Sequence, residues 1–180
     1  PRPGRDYYPQ GADFSYRDIL DQADALKDRY AAAGYGPGHR VALLLENRPE
    51  FFYHFLALNG LGVGVVPVNP DYRQDEMTYQ LDHSEAKLIV AISARIEDCA
   101  AAAAETTRPA PVVDAYALPD VFPDAGSAAQ TLGEELSREA AVLYTTGTTG
   151  RPKGCVLSNF YMLNAGDGYV TLGGTATMYP

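Results

Sequence analysis

Three short, unbroken apolar runs punctuate the first half of the chain: VALLL at 41–45, GVGVVPVN at 62–69 and AKLIVAI at 86–92. Runs this short that do not alternate with polar residues suit strands covered on both faces. Helix-patterned segments lie between them. A sheet whose strands alternate with helices across short loops is parallel, with helices packed on it. Right-handed crossovers then make a doubly wound α/β layer the default.

The individual elements follow from local chemistry. A helix is expected over about 15–33, with Leu20, Ala23, Leu26 and Tyr30 at helical spacing. Ser15 and Asp18 have the spacing of a capping box, and Gly34 can end the helix in the left-handed conformation. Asn47 and Pro49 mark the start of a second helix, PEFFYHFLALNG, expected to bury Phe52, Phe55, Leu56 and Leu58 and to end at Gly60. DEMTYQLDHS reads as a third helix, and ARIEDCAAAAAE as a fourth that Ser93 can cap. PVVDAY is a fourth strand and AAVLYT, at 140–145, a fifth. Between them, 116–139 holds Pro119, Pro123 and Gly126 with little periodicity and is expected to be a surface connection. The expected organisation is a first α/β layer over 1–115, that connection, and an incomplete domain over 140–180 containing a strand, a loop and a following helix.

Composition excludes several function classes. The chain has 14 basic and 23 acidic residues, a net charge of −9. A basic footprint of the kind nucleic-acid binders carry is absent, so no nucleic-acid partner is expected. Cys99 and Cys155 belong to no CxxC pair, which argues against a zinc site or disulfide framework and fits a reduced, cytoplasmic setting. No apolar stretch approaches membrane-spanning length, so no integral membrane segment is expected. His39, His54 and His83 lack metal-ligand spacing, and His54, set among aromatic residues, reads as a packed structural histidine. Cys155 reads as a small apolar filler, and Glu134 with Glu135 as a solvated face.

The strand AAVLYT runs directly into TGTTGRPKG. Gly147 and Gly150 allow a sharp turn and a close approach of backbone to a ligand. Successive amides can form an anion-binding concavity. Thr146, Thr148 and Thr149 add hydroxyl donors, and Lys153, after the stiffening Pro152, adds a full positive charge. All of these suit a polyphosphate. The loop is not a Walker A motif, because Pro152 stands where the second glycine belongs and Gly154 follows the lysine. GLGVG at 60–64 is misspaced for a dinucleotide fingerprint and reads as a helix end and a strand start. A plain exposed Gly/Thr turn would explain the loop too. At about 6% usage per residue, however, chance gives its eight fixed positions in roughly one such chain in 10⁷ to 10⁸.

YTTGTTGRPKG resembles the phosphate-binding signature of the AMP-binding, adenylate-forming superfamily, which includes acyl- and aryl-CoA synthetases, luciferases and peptide-synthetase adenylation domains. The upstream stretch from GPGHRVALLLEN to SEAKLIV is similar to that family's first αβ subdomain, and the resemblance covers about residues 12–165. It implies that Thr145, Thr146, Gly147, Thr148, Thr149 and Gly150 wrap the phosphates of ATP and that Lys153 supports them. Asn159 stands where histidine is common and Cys155 where valine is common; Arg151 occupies a variable position. The resemblance further implies a carboxylic acid substrate, ATP, Mg2+ and coenzyme A or a carrier thiol. The catalytic residues, acyl pocket and magnesium-binding glutamate are expected downstream of this chain, which resembles about a third of a complete enzyme. By itself the chain is expected to be inactive, and to self-associate through uncovered apolar faces. The functional expectation is thus the N-terminal part of an acid–CoA ligase that forms an acyl-AMP and then an acyl thioester. A truncated, non-catalytic ATP-binding module is the alternative, followed by a fragment that binds nothing.

Overall fold

The computed structural model describes residues 8–127, 134–145 and 151–173. Their order is α1 (Tyr16–Ala32), β1 (Arg40–Leu44), α2 (Pro49–Asn59), β2 (Gly64–Pro67), α3 (Gln74–Ser84), β3 (Leu88–Ala91), α4 (Ile96–Ala104), β4 (Val112–Asp114), β5 (Glu139–Thr145), β6 (Lys153–Ser158) and α5 (Asn159–Thr171). Short 3-10 turns occupy Ser93–Arg95 and Glu135–Ser137. One six-stranded sheet has the order β4-β3-β1-β2-β5-β6, with β6 alone antiparallel to its neighbour. The expected α/β architecture with a parallel sheet is therefore present.

β1 is the axis of the sheet. Val41, Ala42, Leu43 and Leu44 are buried, as is Leu45 just beyond, so both faces of the strand are covered. The chain moves from β1 to β2 in one direction and returns past β1 to β3 in the other. Right-handed crossovers then put α2 and α3 on opposite faces. Accordingly α1 packs with α2, and α3 with α4.

Several local readings hold. Ser15 caps α1 by accepting from the Asp18 amide at 3.1 Å, while the Ser15 amide donates to Asp18 Oδ2 at 2.8 Å. Pro49 opens α2, although the cap position is Arg48 and not Asn47. GLGVG spans the end of α2 and the start of β2. Other readings are corrected. Leu20 is 47% exposed, and Ile19 packs on the core in its place, because 19, 23, 26 and 30 form the straighter helical stripe. On α2, Phe52 and Leu56 are exposed, Phe55 is half-buried, and the buried face is Tyr53, His54, Ala57 and Leu58. FFYHFLAL is apolar on nearly every side, so its periodicity selects no face; contact with α1 does. Ser93 begins a 3-10 turn and makes no side-chain cap to α4. Cys155 is exposed on β6 and fills no apolar space.

The stretch expected as a surface connection also enters the core. Phe122 is buried, stacked on Tyr30 with centroids 4.5 Å apart, and the Arg29 guanidinium lies 4.9 Å from its ring centroid. The Ala125 amide donates to the Ala33 carbonyl at 3.0 Å, and Arg29 donates to the Pro119 carbonyl. Residues 119–125 are thereby held along α1. No residue of α5 is buried; Phe160, Leu163 and Val170 stand exposed.

A partly buried ion pair fixes β5. Arg40 Nε and Nη2 donate to the two carboxylate oxygens of Glu139 at 2.6 and 2.7 Å, and Arg40 Nη1 donates to the Ser84 carbonyl at 3.1 Å. Arg40 is on β1 and Glu139 on β5, with Gly64 of β2 as the register partner of Arg40. A Cβ at Gly64 would stand 2.1 Å from Glu139 Oε1, so only glycine leaves room for the pair to cross β2. Gly64→Ala is expected to displace Glu139 and cost about 1–3 kcal/mol in urea unfolding, the range for disturbing a partly buried charged hydrogen bond. An unchanged midpoint would show that Glu139 moves aside freely.

In the core, the Tyr30 hydroxyl and His54 Nδ1 share a hydrogen bond of 2.7 Å. Burial, with the Arg29 cation adding to it, pushes the His54 imidazole down from 6.5 to about 4. The unfolded chain therefore takes up this proton first as pH falls. The stability due to neutral His54 is complete above about pH 6.5 and is lost as pH falls toward 4. Lowering the pH from 7 to 5 is expected to remove about 2 kcal/mol through this group. Tyr30→Phe combined with His54→Leu, which replaces both partners by apolar groups, should flatten that slope in urea titrations at the two pH values; a slope left intact would assign it elsewhere.

Candidate phosphate site

β5 changes character along its length. Ala140, Ala141 and Val142 are buried, whereas Leu143 and Thr145 are exposed. Its register with β2 consists of Val65 opposite Ala141, while on its other side β5 pairs with β6 from Glu139 to Thr145. The strand thus leaves the covered part of the sheet at its carboxyl end. In open parallel sheets this edge is where ligands bind.

Of the residues assigned to the phosphate loop, Thr145 and Lys153 are described; Thr146, Gly147, Thr148, Thr149 and Gly150 lie outside the described residues. Thr145 is the last residue of β5, Lys153 the first of β6, and the two are register partners. Both are exposed. The described flanks therefore set the two ends of the loop segment side by side at the carboxyl edge of the sheet. The strand β6 was not anticipated: KGCVLS has no strand-like alternation, and its conformation depends on its partner.

The returning limb is braced by α3. The Tyr79 hydroxyl donates to the Pro152 carbonyl at 3.0 Å, and the Arg151 guanidinium lies 5.4 Å from the Tyr79 ring centroid. His83 Nδ1 and the Tyr144 hydroxyl share a 2.7 Å hydrogen bond, and the His83 ring lies 5.4 Å from that of Tyr79. Burial pushes the Tyr144 phenol up to about 12, so it remains neutral at physiological pH. A Cβ at Gly154 would come within 2.9 Å of Val142 Cγ1 and 3.2 Å of Tyr144 Cζ, so this glycine lets β6 close against β5. Tyr79, His83 and Tyr144 had not been singled out from sequence. Their only local signal is the i, i+4 spacing of Tyr79 and His83 on a helix.

The remaining histidines are elsewhere. His54 is bonded to Tyr30, and His39 accepts from the Gly36 amide at 3.2 Å; both are buried. An open cleft of about 530 Å³ lies at the carboxyl ends of β1 and β2, lined by Leu43, Glu46, Arg48, Phe52 and Pro67 among others. Its Arg48 is engaged with Glu46 at 3.3 Å and with the Tyr116 hydroxyl at 3.0 Å, so its cation is already committed. Among the described residues, no group of three or more His, Cys, Asp or Glu could hold a metal, and no helix is long and apolar enough to cross a membrane.

The chain is 30% identical over 170 residues to a crotonobetaine/carnitine–CoA ligase of Citrobacter koseri, a match covering 85% of this chain and 32% of the ligase. It is 33% identical over 150 residues to tyrocidine synthase 2 of Brevibacillus parabrevis, covering 81% of this chain and 4% of the synthase. It thus spans about a third or less of these curated relatives. Among solved structures, o-succinylbenzoate CoA synthetase from Bacillus subtilis superposes with a TM-score of 0.68 at 23% identity, over 88% of this chain and 40% of that one, and so shares the fold. With residues 2–177 matching the AMP-binding enzyme family, the chain belongs to that family of adenylate-forming enzymes and corresponds to an N-terminal portion of its members.

Proposed function

We propose that this chain is the phosphate-anchoring part of an ATP-dependent ligase that activates a carboxylic acid and passes it to a thiol. The observation that carries the reading is the pairing of Thr145 with Lys153 at the carboxyl edge of the sheet, at either end of TGTTG. Thr145, Thr146, Gly147, Thr148, Thr149 and Gly150 supply hydroxyls and amides to the polyphosphate, and Lys153 supplies charge. On a chain of net charge −9, this cation next to Arg151 is a local exception, as a polyphosphate site requires.

The chemistry divides into two displacements. A substrate carboxylate oxygen attacks the α-phosphorus of ATP, the bond from that phosphorus to the bridging oxygen breaks, and pyrophosphate leaves. Charge accumulates on the departing pyrophosphate, which is where Lys153 and the loop donors act. The thiol sulfur then attacks the acyl carbon of the mixed anhydride and AMP leaves. Mg2+ would supply further charge neutralisation on the phosphates. Among the described residues no group of three or more His, Cys, Asp or Glu could hold it. The relative named as a CoA ligase supports coenzyme A as the acceptor; a carrier-bound thiol is the other acceptor that this chemistry admits.

ATP–pyrophosphate exchange with a panel of carboxylic acids tests this reading, on the chain and on its full-length protein in parallel. Exchange by the full-length protein alone is expected. Lys153→Ala there should slow exchange roughly 10²-fold, the usual effect of removing one group that stabilises developing charge. Exchange unaffected by that substitution would remove Lys153 from the phosphate site, and no exchange by either protein would leave an ATP-binding module without turnover.

A further inference from the structure

Lys153 is exposed and makes no ion pair among the described residues. A long side chain on an edge strand must be aimed by its backbone, because holding its many rotamers in one direction costs entropy. From one side the backbone is set by pairing with β5, through Tyr144 opposite Gly154 and Thr145 opposite Lys153. From the other side the contact is Tyr79 of α3. Pro152 has no N–H, so its carbonyl is the one backbone group through which that residue can be tethered. The Tyr79 hydroxyl takes that carbonyl at 3.0 Å. This oxygen belongs to the peptide plane that leads into Lys153, so fixing it places the Lys153 Cα, and together with the pairing to Thr145 it sets the direction of the Cα–Cβ bond from which the side chain starts. The Tyr79 ring also carries the Arg151 guanidinium on its face, one residue upstream of Pro152.

Tyr79 is itself held. Its ring is tilted 32° on His83, whose Nδ1 is bonded to Tyr144, and Tyr144 returns to β5. The side chains close a circuit from α3 to the returning limb, to β5 and back to α3.

We propose that Tyr79 is a positioning residue for the phosphate site, orienting Lys153 through the Pro152–Lys153 peptide. It does not touch the nucleotide. The proposal rests on the phosphate-anchoring reading above.

Calorimetric titration of ATP with magnesium into the full-length protein separates the two claims when done on four forms: the unaltered protein, Lys153→Ala, Tyr79→Phe and the double variant. Tyr79→Phe keeps the ring under Arg151 and loses only the hydroxyl. Lys153→Ala should weaken binding about 10-fold or more, and Tyr79→Phe roughly 3- to 10-fold, the range of one hydrogen bond. In the Lys153→Ala background Tyr79→Phe should add nothing, because a residue that acts through Lys153 has nothing left to position. A merely structural tyrosine would lower affinity by the same factor in both backgrounds, and that result overturns the proposal while the phosphate reading stands. Unchanged affinity in Tyr79→Phe overturns it too. Equal affinity of Lys153→Ala and the unaltered full-length protein, or no binding by the latter, overturns both. Should Tyr79→Phe lose its circular dichroism spectrum, Tyr79→Gln, which keeps a donor, takes its place and should bind more tightly than Tyr79→Ala.

Discussion

The bidentate pair of Arg40 and Glu139, crossing β2 over Gly64, holds the functional end of this structure together. β5 carries the loop, yet its register with β2 is a single residue pair, Val65 with Ala141. Parallel pairing that short is a weak anchor. The ion pair ties the start of β5 to β1, and β1 is the strand buried on both faces at the centre of the sheet. Arg40 also bonds the Ser84 carbonyl at the end of α3, the helix that carries Tyr79 and His83. One guanidinium therefore relates the strand that leads into the loop to the helix that braces the limb leading out of it.

A division of labour follows. The interior, made of β1, β2 and β3 with α1 and α2 on one side and α3 and α4 on the other, is largely apolar. The proposed phosphate chemistry lies at the carboxyl edge, where β5 emerges and β6 returns. The buried Tyr30–His54 bond belongs to the first part: it satisfies two polar groups in the core and lies apart from the phosphate-loop flanks. The site in turn depends on contacts from residues far along the chain, such as Tyr79 with Pro152 and His83 with Tyr144.

What sequence revealed divides along the same line. Local signals were sufficient where one residue type has one physical reason to be present. The Ser15–Asp18 box, Pro49 at a helix start and the unbroken apolar runs of β1, β2 and β3 all form as their chemistry dictates. The residue types of the loop string suit a polyphosphate, but its residues 146–150 lie outside the described residues and its role stands as a proposal. Choices made by tertiary contact were not legible. Nothing in FFYHFLAL says that Phe52 faces outward and His54 inward. Nothing in 116–139 marks Phe122 as the residue that stacks on Tyr30. KGCVLS is a strand because β5 offers it an edge, and Tyr79 braces Pro152 across 73 positions of sequence, beyond the reach of any local pattern.

We propose that nucleotide phosphates bind at the carboxyl edge of β5, between Thr145 and Lys153. Amide hydrogen exchange with and without ATP and magnesium tests it directly, because it reports on every backbone segment at once. Slower exchange is expected in peptides spanning 142–158 and in α3 around Tyr79, with the α1–α2 side unchanged. Protection at the cleft beside Glu46 and Arg48, with none at 142–158, would contradict it.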